Sequence, residues 1–106
     1  MASPPEEGPP SEETHKDEMN CFLYVLKNKN KNWHYIGVTS NLKKRLEYHN
    51  RGKVKSTRPY VPLTLVYSEK FNNNSEARKR ENFLKRTARA REDLFEKIDL
   101  ALSSNG

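Results

Sequence analysis

Five side chains in this sequence have types suited to work on a phosphoryl group: Tyr24, Tyr35, Arg45, His49 and Glu81. A phenol, with a pKa near ~10, is a poor base at neutral pH. It becomes useful once nearby cations or a metal stabilise its phenolate. Arg45 carries a planar fork that matches a phosphate and is expensive to bury unpaired. Glu81 falls within the apolar stripe of its helix, and a buried carboxylate costs several kcal/mol unless it is paired or binds a metal. One carboxylate is too few for a two-metal centre, but it could hold a single Mg²⁺ that keeps most of its waters. Each residue also has a plainer reading. Paired tyrosines are common core aromatics, a lone inward histidine is usually a satisfied structural residue, and Glu81 could form a salt bridge with Arg45, Arg78 or Arg80.

To meet, these residues need particular elements. Cys21 to Lys27 alternates and is rich in strand formers, with Phe22, Tyr24 and Leu26 on one side and Leu23 and Val25 on the other. Asn28 to Lys31 is a polar turn, and Trp33 to Val38 reads as the second strand of a hairpin. If Lys27 faces Asn32, Tyr24 lies opposite Tyr35 and the phenols share a face. A helix capped by Ser40 or Asn41 then runs to Asn50 and stops at Gly52. Its inward stripe is Leu42, Arg45, Leu46 and His49, residues three and four apart. Half of that stripe is polar, so something polar is expected opposite it.

The remainder of the chain supplies a loop, a strand and two helices. Arg51 to Pro62 is a basic loop. Leu63 to Phe71 is apolar on both parities, as expected of a central strand. Asn73 with Glu76 resembles a capping box for a helix over 74–90 with Ala77, Leu84 and Ala88 inward and Phe83 to one flank. A last helix over 90–102 turns Leu94, Phe95, Ile98 and Leu102 to the core, and residues 103–106 are expected to fray. The order ββαβαα, hairpin first, predicts an α+β fold: a small three-stranded mixed or antiparallel sheet flanked by helices.

Charge divides the 106 residues in two. Residues 1–20 hold four of the six prolines, six acids and one base, a net of −5, and are expected to be a disordered tail. The rest holds 19 bases and 8 acids, a net of +11, which favours an anionic partner, nucleic acid first. Lys43, Lys44, Arg51, Lys53, Lys55 and Arg58 cluster on one helix and one loop, where they could follow a phosphate backbone without reading bases. Cys21 is the only cysteine, so no intrachain disulfide forms, and its apolar flanks suggest a buried strand residue. No apolar run of ~18 residues and no signal-peptide order occurs, so a soluble cytoplasmic protein without membrane contact is expected.

The segment 21–90 resembles the GIY-YIG nuclease domain, most closely its small stand-alone bacterial members. Phe22-Leu23-Tyr24 stands at the first motif, without the Gly-Ile that names it, and Tyr35-Ile36-Gly37 at the second. Arg45, His49 and the block Arg80-Glu81-Asn82-Phe83-Leu84-Lys85 follow at family spacing, and Asn50-Arg51-Gly52-Lys53 continues like the stand-alone members. The resemblance implies an endonuclease domain over 21–102 that hydrolyses DNA phosphodiester bonds with a single divalent metal, Mg²⁺ or Mn²⁺. Glu81 would hold the metal, Tyr24 would activate water with His49 nearby, Arg45 would hold the scissile phosphate, and Tyr35 would assist. Without an appended DNA-binding domain, cleavage is expected to be structure-directed or non-specific, in repair or recombination. The competing reading is a catalytically weak nucleic-acid binder, or a nuclease subunit whose protein partner supplies specificity.

Overall fold

Strand β1 (Cys21–Asn28) turns back into β2 (His34–Thr39), and the pair is antiparallel with Tyr24 facing Gly37 and Leu26 facing Tyr35. The register therefore differs by two residues from the expected one. The cause is the turn. Asn28 Oδ1 accepts from the Asn30 backbone N–H at 2.7 Å, and the Trp33 N–H bonds back to the Lys31 carbonyl at 2.9 Å. Trp33 is thus spent on the loop, where its ring stacks on Tyr60 with centroids 3.8 Å apart. Because side chains alternate with period two, a two-residue shift leaves both phenols on one face.

The sheet order is β2-β1-β3, with β3 (Leu63–Phe71) antiparallel to β1. The central strand is β1, and β3 is an edge, correcting the expectation from its hydropathy. A bulge explains why β3 is apolar on both parities: pairing steps from Val25↔Tyr67 to Leu26↔Leu65, leaving Val66 unpaired. Leu63 and Leu65 join Tyr24 and Leu26 on one face, while Tyr67 and Phe71 pack on the other.

Three helices cover the two faces. Helix α1 (Leu42–Asn50) packs with the following loop over Tyr24, Leu26, Tyr35 and Leu63. Helices α2 (Asn74–Arg86) and α3 (Ala88–Ser104) bring Leu84, Leu94 and Ile98 against Leu23, Val25 and Ile36. The order ββαβαα and the α+β class are as the sequence predicts. Asn41 Oδ1 caps α1 through the Lys44 N–H at 3.0 Å, Asn73 Oδ1 caps α2 through the Glu76 N–H at 2.9 Å, and Gly52 (φ 78°) ends the turn after α1.

The break between α2 and α3 falls at Thr87, earlier than expected, and Arg91 Nη1 satisfies the freed carbonyls of Leu84 and Lys85 at 3.1 and 3.0 Å. The break turns Ala88 outward, and Phe83 and Leu102 are also exposed. Asp99 ties α3 to the hairpin through Lys27 (2.8 Å) and His34 (3.1 Å), with His34 stacked on Phe95.

The computed structural model describes residues 20–104, so the tail expected over 1–20 lies outside the described residues except for Asn20, as do Asn105 and Gly106 at the other end. Among the described residues no helix is long and apolar enough to cross a membrane.

Candidate active site

Tyr24 lies on the buried central strand with 2 % of its surface exposed. Its ring crosses directly over its partner Gly37. A Cβ at position 37 would sit 2.5 Å from the Tyr24 hydroxyl oxygen and 2.6 Å from Cζ. Glycine is required here for close approach. Gly37→Ala should therefore cost about 1–3 kcal/mol or more, as overpacking of a tight core does, and should displace the hydroxyl. Urea denaturation of the variant beside the parent measures the first effect. The aromatic ring-proton shifts of Tyr24 measure the second.

Helix α1 brings Arg45 and His49 to that hydroxyl from one side, one turn apart. Arg45 Nε donates to the Tyr24 oxygen at 3.3 Å, and His49 Nε2 lies 3.0 Å from the same oxygen. The other imidazole nitrogen, Nδ1, is 2.8 Å from Thr57 Oγ1, which in turn donates to the Val54 carbonyl at 3.4 Å. Tyr35 completes the cluster, its ring edge-on to His49 at 5.1 Å and tilted against Tyr24 at 6.4 Å. The polar half of the predicted stripe thus meets the Tyr24 hydroxyl and packs against the ring of Tyr35. His49 and Thr57 are fully buried.

Burial sets the electrostatics. It pushes the Tyr24 phenol well above its ordinary value, the neighbouring Tyr35 and the Glu81 charge act in the same direction, and Arg45 opposes them. Burial and the Arg45 charge lower the His49 imidazole to about 3. Tyr24 and His49 therefore stand as a neutral phenol and a neutral imidazole at physiological pH, in contact but unionised.

Glu81 sits on α2 with its side chain 14 % exposed and its carboxylate held by Lys85 Nζ at 2.9 Å, with Arg78 at 3.9 Å. Arg80, another partner expected from the sequence, pairs with Glu69 instead, through two bonds of 2.9 and 3.0 Å. The Glu81 charge is felt at the Tyr24 phenol. Among the described residues there is no group of three or more His, Cys, Asp or Glu able to hold a metal ion. A single carboxylate, shared with Lys85, could take a divalent ion that keeps waters and takes further oxygens from a phosphate.

Lys43, Lys44, Arg51, Lys53, Lys55 and Arg58 are all exposed, on α1 and the loop beside it. Arg58 is also structural, since its Nε donates to the Gly52 carbonyl at 2.9 Å. That loop is less open than its charge suggests. Val54 and Thr57 point inward, and Asn28 and Asn50 clasp the loop through Tyr60 and Leu63. Thr57 carried no signal in the sequence: one hydroxyl among lysines and arginines has no periodicity to mark it. The position of Lys85, four residues after Glu81, is the spacing of a helical ion pair and could have marked it as the partner.

A model of the GIY-YIG catalytic domain matches residues 20–94. The chain is 38% identical to UPF0213 protein YazA of Bacillus subtilis over 77 residues, 72% of this chain and 77% of that one. It is 44% identical to UPF0213 protein CPE1444 of Clostridium perfringens over 69 residues, 64% of this chain and 73% of that one. Among solved structures it is similar to the solution NMR structure of UPF0213 protein BH0048 from Bacillus halodurans, at 30% identity and a TM-score of 0.46, covering 76% of this chain and 85% of that one. The match runs from the first strand into the third helix and takes in Tyr24, Tyr35, Arg45, His49 and Glu81, so the chain belongs to the GIY-YIG family.

Proposed function

We propose that this protein is a soluble cytoplasmic endonuclease that hydrolyses DNA phosphodiester bonds with one divalent metal, acting on DNA structure or without sequence preference in repair or recombination. The observation that carries the reading is the Tyr24 hydroxyl, held between Arg45 and His49 and within the field of the Glu81 carboxylate. Membership of a nuclease family supports it, as do the exposed cations flanking α1.

Hydrolysis needs an activated water, a clamp for the negative charge that builds on phosphorus, and help for the departing oxygen. As the water oxygen bonds to phosphorus, its proton passes to the Tyr24 oxygen while the proton of Tyr24 passes to His49 Nε2. The bond to the departing sugar oxygen breaks and that oxygen takes a proton from solvent. His49 then returns its proton to solvent through Tyr24. Burial and the Arg45 charge both keep His49 neutral in the free protein, and a phosphate's negative charge next to Arg45 offsets the second of these. Arg45 holds the phosphate, and Tyr35 packs the imidazole in place. Glu81 would hold Mg²⁺ or Mn²⁺, which when bound supplies charge neutralisation at the phosphate oxygens.

The test is incubation with flap, branched and nicked DNA plus Mg²⁺ or Mn²⁺, beside Glu81→Ala. Metal-dependent nicking that the variant lacks is expected. If neither protein nicks, the exposed cations favour the second reading, a nucleic-acid binder or a subunit completed by a partner. Binding should then weaken steeply with salt, and Glu81→Ala should leave it intact.

A further inference from the structure

We propose that Thr57 is a positioning residue whose hydroxyl holds His49 as the Nδ1–H tautomer, leaving Nε2 open to accept the proton of Tyr24. The inference deepens the nuclease reading and rests on it for its catalytic consequence, but not for the tautomer itself.

Proton counting leads to it. The Tyr24 hydroxyl has two hydrogen-bond neighbours among the described residues, Arg45 Nε at 3.3 Å and His49 Nε2 at 3.0 Å. A guanidinium only donates. Of these two neighbours only His49 Nε2 can accept the proton of this buried hydroxyl, and it must then carry a lone pair. A neutral imidazole then bears its hydrogen on Nδ1, and that hydrogen needs an acceptor. Thr57 Oγ1 is at 2.8 Å and disposes of its own proton on the Val54 carbonyl at 3.4 Å. All four bonds then run one way, from Arg45 through Tyr24, His49 and Thr57 to Val54.

Reversing the order would make Thr57 donate to Nδ1 and Nε2–H donate to Tyr24. The phenol oxygen would then face two donors, and its own proton would have nowhere to go. Tyr24, His49 and Thr57 are all buried, so leaving a proton unmatched in this chain would be costly. During the relay, the proton leaving Tyr24 lands on Nε2 while Nδ1–H stays on Thr57, so the imidazolium forms without the ring having to turn.

The test is a long-range ¹H–¹⁵N spectrum of His49 at neutral pH in the wild-type protein, Thr57→Val and Thr57→Ser. Wild type and Thr57→Ser should show a protonated Nδ1 and a bare Nε2. Thr57→Val keeps the shape but removes the acceptor, so the hydrogen should move to Nε2 in part or whole. Cleavage by Thr57→Val should fall roughly 10–100-fold in kcat, by analogy with the groups that orient metal-bound histidines, with KM little changed and with rescue by serine. An Nε2–H tautomer in the wild type overturns the proposal even if Thr57→Val does not fold. So does a spectrum that Thr57→Val leaves unaltered. If the wild-type protein cleaves no DNA, the nuclease reading fails, while the tautomer is still decided by the spectrum.

Discussion

Glu81→Gln should lower metal-dependent DNA cleavage by on the order of 10³-fold, because a bound metal contributes several kcal/mol to transition-state stabilisation and each tenfold in rate is about 1.4 kcal/mol. Stability should hardly move. The Glu81 side chain is 14 % exposed, and its partners Lys85 and Arg78 lie on the same helix. The amide keeps the shape of the carboxylate and can still accept from Lys85. The substitution thus separates metal holding from folding. Single-turnover cleavage across a Mg²⁺ titration, with thermal unfolding of the same preparations, measures both. Cleavage by the glutamine variant within a few-fold of wild type would remove Glu81 from the metal role.

Acid should destabilise this protein through His49. The folded imidazole has a pKa of about 3, against an ordinary value of 6.5. Between those values the unfolded chain binds a proton that the folded chain does not, so stability rises with pH across the window. The contribution is complete above about pH 6.5 and is lost as the pH falls towards 3. At about 1.4 kcal/mol per unit, the window spans several kcal/mol of a total margin of about 5–15 kcal/mol. Urea midpoints for the wild type should fall steadily from pH 6.5 to pH 4. His49→Gln should be less stable than wild type at neutral pH but should lose less over the same interval. A flat wild-type profile there would mean that the imidazole is not held neutral.

Local patterning carried much of the fold. Period-two alternation in Cys21 to Lys27, the Asn caps before α1 and α2, and the glycine after α1 are signals whose cause lies within a few residues, and the elements stand close to where those signals put them. The same locality explains the errors. The hairpin register depended on which turn residues hydrogen-bond with each other, and Asn28 and Trp33 settled it by contacts that hydropathy does not encode. In β3 the apolar pattern of a central strand was produced by one bulge opposite Val25 and Leu26, which turns the two halves of an edge strand to different faces. The helix break at Thr87 likewise depends on Arg91 reaching back to carbonyls in the preceding helix.

The sequence alone determined that a guanidinium and an imidazole face inward from one helix, because residues 45 and 49 are four apart on an otherwise apolar stripe. It also determined that two phenols share a face, since parity along a strand survives a two-residue shift. Only the tertiary structure decided what they touch. It laid Tyr24 across Gly37, brought Arg45 and His49 to the Tyr24 hydroxyl, and set Thr57 behind His49. Arg45 and His49 reach Tyr24 across 21 and 25 residues of chain, and distances of about 3 Å between such elements follow from packing the layers together, which no window of neighbouring residues contains.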